Sequence, residues 1–406
     1  MKLFFYVIFI YQINSQVIFH FKKKKYTQNL NQTLIEFLFN NQLETEINIG
    51  TPYQKIPLLI QQKTFCLYIT SSKSEGNIIK FNQDYSSSFK QIQNKPIQYF
   101  YQDFTFAIKS FDNLNNNNLI FEKINFFLIS QFKFNISGVL GLRIFNDEKD
   151  YNLIYQLKKK KIISSYNFYI KYTNENEGKL FIGNLFNEKV KFTKEILDIQ
   201  NRFGIIFDNI YSGDDEIYCY IKAFFQIENS FIRGDNQYKN DVQKSFFKDY
   251  IIQNKCYSDF FINKWEEMNI YYYCDDDINL DKFKTLKFYI KDVNVTFEFN
   301  SKDLFYKFGN KIYFLVYFTD KRNVDWILGE PFLKKYLIGF DQDKKIILFL
   351  NNNFEKNNNE NYINISLIVI IGILIFIFSN ICLFKILKIK QLKQGKELND
   401  KYYTIN

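Results

Sequence analysis

Acid–base chemistry in this chain has little to draw on except carboxylates. His20 is the only histidine in 406 residues, so a serine or cysteine nucleophile activated by an imidazole is excluded. A zinc site built on imidazoles has no ligand set to use, and no metal or other cofactor is expected. Two short stretches nevertheless share a form. Leu59-Ile60-Gln61-Gln62-Lys63-Thr64-Phe65 and Phe224-Phe225-Gln226-Ile227-Glu228-Asn229-Ser230 each run from an apolar strand through a glutamine and a turn back to apolar residues. They lie far apart, as the two halves of a duplicated fold would place them. Two residues beyond each glutamine stand Lys63 and Glu228, opposite in charge.

The elements that must position these stretches are overwhelmingly β. Short aromatic and β-branched runs such as KLFIG, KFYIKDVNVTFEF and KIYFLVYF alternate with Asn, Asp and Gly turns. Helices are expected only over a few segments, among them Asn152–Ile163 and Asp241–Asn254. Hydrophobic residues make up 47% and aromatic residues 20% of the chain, enough for a large core, so disorder is not the default. The formal charge of +10 is dispersed in short runs such as Lys22–Lys25 and Lys158–Lys161. No Gly/aromatic RNA-binding signature accompanies them, and the runs read as solvated faces; no nucleic-acid partner is expected.

The chain's two ends bear on compartment. Residues 1–16 carry Lys2, an apolar stretch from Leu3 to Ile13 and then small and polar residues, the order of a signal peptide. Residues 363–384 are almost wholly apolar and, at about 22 residues, long enough to cross a bilayer of ~30 Å. Lys385, Lys388, Lys390, Lys393 and Lys396 follow, which places residues 385–406 in the cytosol as the tail of a single-pass type I membrane protein. Residues 351–362 read as a linker. The bulk of the chain is then extracellular or lumenal in the secretory or endolysosomal system, where disulfides persist. Cys256 and Cys274 flank a hairpin-sized segment and are the expected pair. Cys66 and Cys219 either pair or stay as buried thiols; spacing does not decide between them. Asn31, Asn135 and Asn294 head glycosylation sequons, and Asn364 heads one too close to the predicted span to count.

Five segments in order resemble the pepsin-like aspartic proteases. EINIGTPYQKIPLLI (Glu46–Ile60) is similar to the segment leading into that family's first Asp-Thr-Gly loop, and NISGVLGL (Asn135–Leu142) to its Gly-Ile-Leu-Gly-Leu segment. NFYIKYTNENEGKLFIGN (Asn167–Asn184) resembles the lobe-crossing strands, and Cys274–Phe308 the stretch after the second-lobe disulfide. WILGEPFLKKYLIGFDQDKKIILF (Trp326–Phe349) resembles the C-terminal signature and is the most specific of the five. VIFHFKKKKY (Val17–Tyr26) is similar to the first strand and basic run of the family's prosegments; a short basic linker is the plainer alternative. The resemblance implies an all-β bilobal fold, with a prosegment over 17–42, one lobe over 43–190 and a second over 191–350.

That family cuts peptides with two carboxylates that share a proton and act on one water. The resemblance places its two aspartates on Gln61 and Gln226, and an amide cannot accept the water's proton. It also places the loop glycines on Lys63 and Glu228 and keeps hydroxyls at Thr64 and Ser230. An ion pair of Lys63 with Glu228 between the lobes is one hypothesis; the alternative that outweighs it is that both point to solvent or pair elsewhere. The flap falls on Gln98–Phe111, with Tyr99 and Tyr101 but no glycine. What this implies is a catalytically inactive, membrane-anchored ectodomain that binds a peptide or protein in the inter-lobe cleft or acts as a scaffold. The competing expectations are an active aspartic-type endopeptidase with an atypical site and a purely structural surface glycoprotein. Asp235, next to Gly234, falls beyond the turn and is not expected to rescue activity.

Overall fold

A computed structural model describes residues 16–24, 42–76, 78–93, 97–99, 105–116, 119–131, 136–144, 146–184, 190–195, 202–262, 267–321 and 324–350. Among them the β pattern holds, in two sheets. The first runs, in spatial order, through Val190–Glu195, Ile346–Leu350, Ile338–Asp341, Asn167–Tyr172, Glu177–Gly183, Gln16–Lys23, Leu43–Ile49, Gln54–Gln61, Gly138–Gly141, Leu67–Thr70, Leu119–Gln131, Thr105–Asn116 and Lys90–Gln91. The second is built from strands between Gly204 and Leu328. The chain's second half therefore crosses back, because Ile338–Asp341 pairs with Asn167–Tyr172 of the first half.

Period-two burial follows from the sequence. In Leu43–Ile49 the buried residues are Leu43, Thr45, Ile47 and Ile49 while Glu44, Glu46 and Asn48 point outward. Strands buried on both faces instead read as apolar runs, as in Leu67–Thr70 and Gly138–Gly141, where every residue is buried. Phenylalanine carries much of the core of the second half. Phe332 meets Phe207, Phe225, Phe288, Phe297 and Phe299 with ring centroids 4.7–6.0 Å apart, mostly tilted or edge-on.

The two expected helices form, the first shorter than its pattern suggests and the second shifted towards the N-terminus and interrupted. Asn152 caps the first by accepting from the Tyr155 N–H at 3.0 Å, and the helix spans Leu153–Lys159. The second breaks into an α-turn over Lys239–Val242, a π-turn over Gln243–Phe247 and an α-turn over Lys248–Ile252. That bulge lets both Phe246 and Phe247 face the core. Cys256 and Cys274 are disulfide-bonded, directly opposite each other on antiparallel strands. Cys66 is a free buried thiol, so it does not pair with Cys219.

Residues 1–15 and 351–406, with the expected leader, span and tail, lie outside the described residues, as do Asn31, Asn135 and Tyr101. Among the described residues no helix is long and apolar enough to cross a membrane. Asn294 is exposed in the turn between Leu286–Ile290 and Val295–Phe299, at φ 48°.

Candidate functional site

Gln61 ends the strand Gln54–Gln61, and Gln226 directly follows the strand Asp215–Phe225. The surroundings of the two match. Gln54–Gln61 runs parallel to Gly138–Gly141, with Gln61 opposite Gly141. Asp215–Phe225 runs parallel to Trp326–Leu328, with Phe225 opposite Leu328, so Gln226 faces Gly329. Beyond each loop the returning strand pairs antiparallel with that same neighbour and parallel with a third strand, Leu67–Thr70 in one half and Ile232–Gly234 in the other. Two interlocked loops related by this internal symmetry place Gln61 and Gln226 at equivalent positions.

Both neighbouring glycines are required by close approach. A Cβ on Gly141 would lie 2.6 Å from the Cys66 carbonyl oxygen and 2.7 Å from that of Thr64. One on Gly329 would lie 2.2 Å from the Asn229 carbonyl oxygen and 2.3 Å from that of Phe231. The glycines press a strand end against the back of each loop, and the loop backbones answer with hydrogen bonds. The Leu142 N–H donates to the Gln61 carbonyl at 3.0 Å, the Arg143 N–H to Thr64 at 3.1 Å, and the Glu330 N–H to Asn229 at 2.8 Å.

The loops also grip each other. The Ile227 N–H donates to Gln62 Oε1 at 3.2 Å, and the Lys63 N–H donates to Glu228 Oε1 at 3.1 Å. The tie between Lys63 and Glu228 is therefore a backbone-to-carboxylate hydrogen bond, not the hypothesised ion pair, and the Lys63 side chain lies at the surface as the alternative had it. The Lys63 backbone sits at the junction while its side chain is exposed, which keeps the ammonium hydrated and leaves the peptide N–H to meet the carboxylate. Gln62 is buried, and its Nε2 has no hydrogen-bond partner; neither has the buried Oε2 of Glu228. Burial pushes the Glu228 carboxyl above its ordinary range, against the Lys63 charge and the N–H donors, which pull it down.

At the two equivalent loop positions the side chains are amides. Gln61 and Gln226 are both half-buried. Thr64 is buried, and its hydroxyl donates to Gln61 Oε1 at 2.7 Å, so that oxygen is held as an acceptor. Ser230 is half-buried. Asp235 points elsewhere: its carboxylate accepts from the Gln237 N–H at 3.0 Å and the Val324 N–H at 2.9 Å, the role of a turn cap. Among the described residues no cluster of His, Cys, Asp and Glu could hold a metal ion. In the flap segment, Ile97–Tyr99 pairs with Thr105–Asn116, with Tyr99 opposite Thr105.

Two features escaped sequence reasoning. Gln62, read only as part of a turn, is the first loop's cross-lobe acceptor; its signal was a polar residue where the second loop has Ile227. Asp112 is fully buried and accepts from Ser86 Oγ at 2.7 Å, Ser88 Oγ at 2.5 Å and the Asn113 N–H at 2.8 Å. The run Ser86-Ser87-Ser88, 24 positions before Asp112, held what signal there was. A cavity of about 270 Å³ lined by His20, Lys22, Glu44, Glu46 and Glu177 includes no residue of either loop.

Twin loops of this topology, joined by parallel strands and tied across a two-fold, define a pepsin-like domain. The chain belongs to the eukaryotic aspartyl protease family, whose model matches residues 42–351. No curated protein matches the chain.

Proposed function

We propose that this protein is a membrane-anchored, pepsin-like ectodomain that has given up peptide hydrolysis and uses the cleft between its halves to bind a peptide or protein, or serves as a surface scaffold. The observation that carries the reading is the pair of amides at equivalent loop positions. Peptide hydrolysis by this fold needs one group to take a proton from water and another to give one. Gln61 and Gln226 can orient a water by hydrogen bonds, and neither changes protonation in the physiological range. Proton transfer by a positioned side chain is worth roughly 10²–10⁴-fold, and here both groups are gone.

Glu228 does not fill the role. It is a single carboxyl, its Oε1 holds the Lys63 N–H, and it sits two residues beyond the position that faces Gly329. Lys63 and Glu228 also stand where the family has glycines, so the loops have been rebuilt around cross-lobe contacts. The predicted leader, span and basic tail support a type I orientation with this domain outside the cytosol.

The test is proteolysis of a denatured protein substrate across acidic pH, comparing the natural protein with Gln61→Asp/Gln226→Asp and with the same pair combined with Lys63→Gly/Glu228→Gly. The natural protein should leave the substrate intact. Cleavage by the natural protein, stopped by a pepstatin-type inhibitor, would establish an active aspartic-type endopeptidase with an atypical site instead.

A further inference from the structure

We propose that Arg233 makes the second half's side of the cleft an anion subsite, so that the peptide held there carries a carboxylate. The inference rests on the reading of that cleft as a peptide-binding site and names the class of peptide it takes.

Three neighbouring strands form the subsite. Ile232–Gly234 lies between Val316–Thr319, to which it runs parallel, and Trp326–Leu328, to which it runs antiparallel. Arg233 is half-exposed between buried Ile232 and Gly234, Ile327 between buried Trp326 and Leu328, and Tyr317 between buried Val316 and Phe318. The register sets Arg233 opposite both Ile327 and Tyr317, so period-two alternation gathers the three in a row on one face. That row begins two residues before Gly329, which Gln226 faces, and Arg233 itself comes three residues after Ser230 of the second loop.

Aromatic rings wall the row. Tyr317 meets Phe231 at 6.2 Å and Phe261 at 6.0 Å between ring centroids. Burial pushes the Tyr317 phenol up to about 12, against the Arg233 charge, which pulls it down.

Within these walls the guanidinium is poorly matched. Its Nη2 donates to the Asp325 carbonyl at 3.3 Å, while Nε is enclosed without a partner. Among the described residues no carboxylate pairs with it. The Asp325 carboxylate lies 3.9 Å from Arg202 instead, and Glu267, whose charge acts on Tyr317, is taken by Lys321. A half-buried cation between Ile327 and Tyr317 has given up part of its hydration and gained no counter-charge, a loss that a bound carboxylate offsets. The apolar flanks also reduce screening, so this pairing gains more than one at an open surface.

The first half has no equivalent charge. By the internal symmetry Leu67–Thr70 corresponds to Ile232–Gly234, and Tyr68, opposite Val139 and Phe127, stands where Arg233 does. Tyr68 stacks on Phe127 at 5.5 Å and is buried. One half closes this position with a ring, and the other leaves it open with a cation.

The experiment measures binding to the full-length natural protein and to Arg233→Met, in detergent near neutral pH. The probes are fluorescent dodecapeptides of Ala, Gly, Ser and Leu, C-terminally amidated, with Glu, Gln or Lys stepped through the central positions. A second set carries no acidic side chain and ends in a free carboxylate. At one position Glu should bind the natural protein on the order of tenfold more tightly than Gln, and Arg233→Met should bind the two alike. A gain from the free C-terminus that the variant loses would support the subsite with a terminal carboxylate as its ligand. Binding with neither preference, or a preference that survives in Arg233→Met, overturns the subsite and leaves the peptide reading standing. No binding of either set by the folded natural protein overturns both. Melting temperature gives an independent check, because replacing an unpaired cation by an apolar chain should leave it at or above the natural value. A fall of several degrees in Arg233→Met would show Arg233 to be a structural residue and overturn the proposal.

Discussion

Replacing Glu228 separates two contributions that its single side chain makes to the junction of the loops. One is a hydrogen bond, from the Lys63 N–H to Oε1 at 3.1 Å; the other is the cost of keeping a carboxylate where Oε2 has no partner. Glu228→Gln keeps an acceptor for Lys63 and removes the charge, its amide nitrogen standing in for a protonated Oε2. Glu228→Ala removes both and leaves the Lys63 N–H without an acceptor, a loss of about 1–3 kcal/mol. The pH dependence follows from burial, which raises the folded carboxyl above its ordinary value of 4.5. Below that value the side chain is protonated whether the chain is folded or unfolded, and it adds no pH dependence. As pH rises, the unfolded chain ionises first, so the folded state holds the extra proton and stability falls until the folded carboxyl also ionises. Each pH unit between the two ionisations costs about 1.4 kcal/mol. The difference in melting temperature between Glu228→Gln and the natural protein, measured at about pH 4.5 and again near pH 7, isolates this group from all others. It should be near zero in acid and positive near neutrality, by about 2 °C per kcal/mol for a unit of this size. A Glu228→Gln protein that melts below the natural one near neutrality, yet matches it in acid, would show that the ionised carboxylate is the stabilising form and refute the reasoning.

Gly329→Ala would force a methyl to within 2.2 Å of the Asn229 carbonyl oxygen, a backbone atom that cannot swing aside. It should cost at least about 2 kcal/mol by urea unfolding, in the range of overpacked cores, while an alanine at exposed Gly309, with nothing within 4 Å, suffers only the strain of its φ of 61°. Replacing Cys256 and Cys274 together by serine opens a loop of 18 residues' separation. The unfolding midpoint should fall by the equivalent of about 3 kcal/mol, and a midpoint unchanged by the double substitution would show that the hairpin is held by its ladder alone.

Much of the fold could be read from the residues because its determinants are local. Alternation in Leu43–Ile49, turn residues at Asp292 and Asn294, and the Gly138 and Gly141 pair all specify their own neighbourhood. The disulfide was also legible, since the two cysteines bracket a single hairpin. Junction chemistry was not, because it depends on which atoms of distant residues converge. Opposite charges at Lys63 and Glu228 suggested a side-chain pair, but the turn presents the Lys63 peptide N–H to the carboxylate and sends the ammonium to water. Gln62 looked like any turn residue, and its role depends on the second loop's Ile227 N–H arriving within 3.2 Å. Similarly, a basic run after an apolar leader reads as a removable or linking segment. Its ladder with Glu177–Gly183, more than one hundred and fifty positions later, makes it part of the sheet.

The return of Ile338–Asp341 and Ile346–Leu350 to the first sheet has a consequence for biosynthesis. The strand Asn167–Tyr172 has one neighbour close behind it, Glu177–Gly183, and the other only at Ile338–Asp341. A ribosome that has delivered the first half has therefore supplied a sheet with an open edge, and the second half must be synthesised before that edge can close. Such long-range pairing is slow and leaves strands open to misassociation in the interval. The two halves look separable by their internal symmetry, yet maturation is gated by the last strands to leave the ribosome. A chain stopped before Ile338 would meet quality control with its first sheet unfinished.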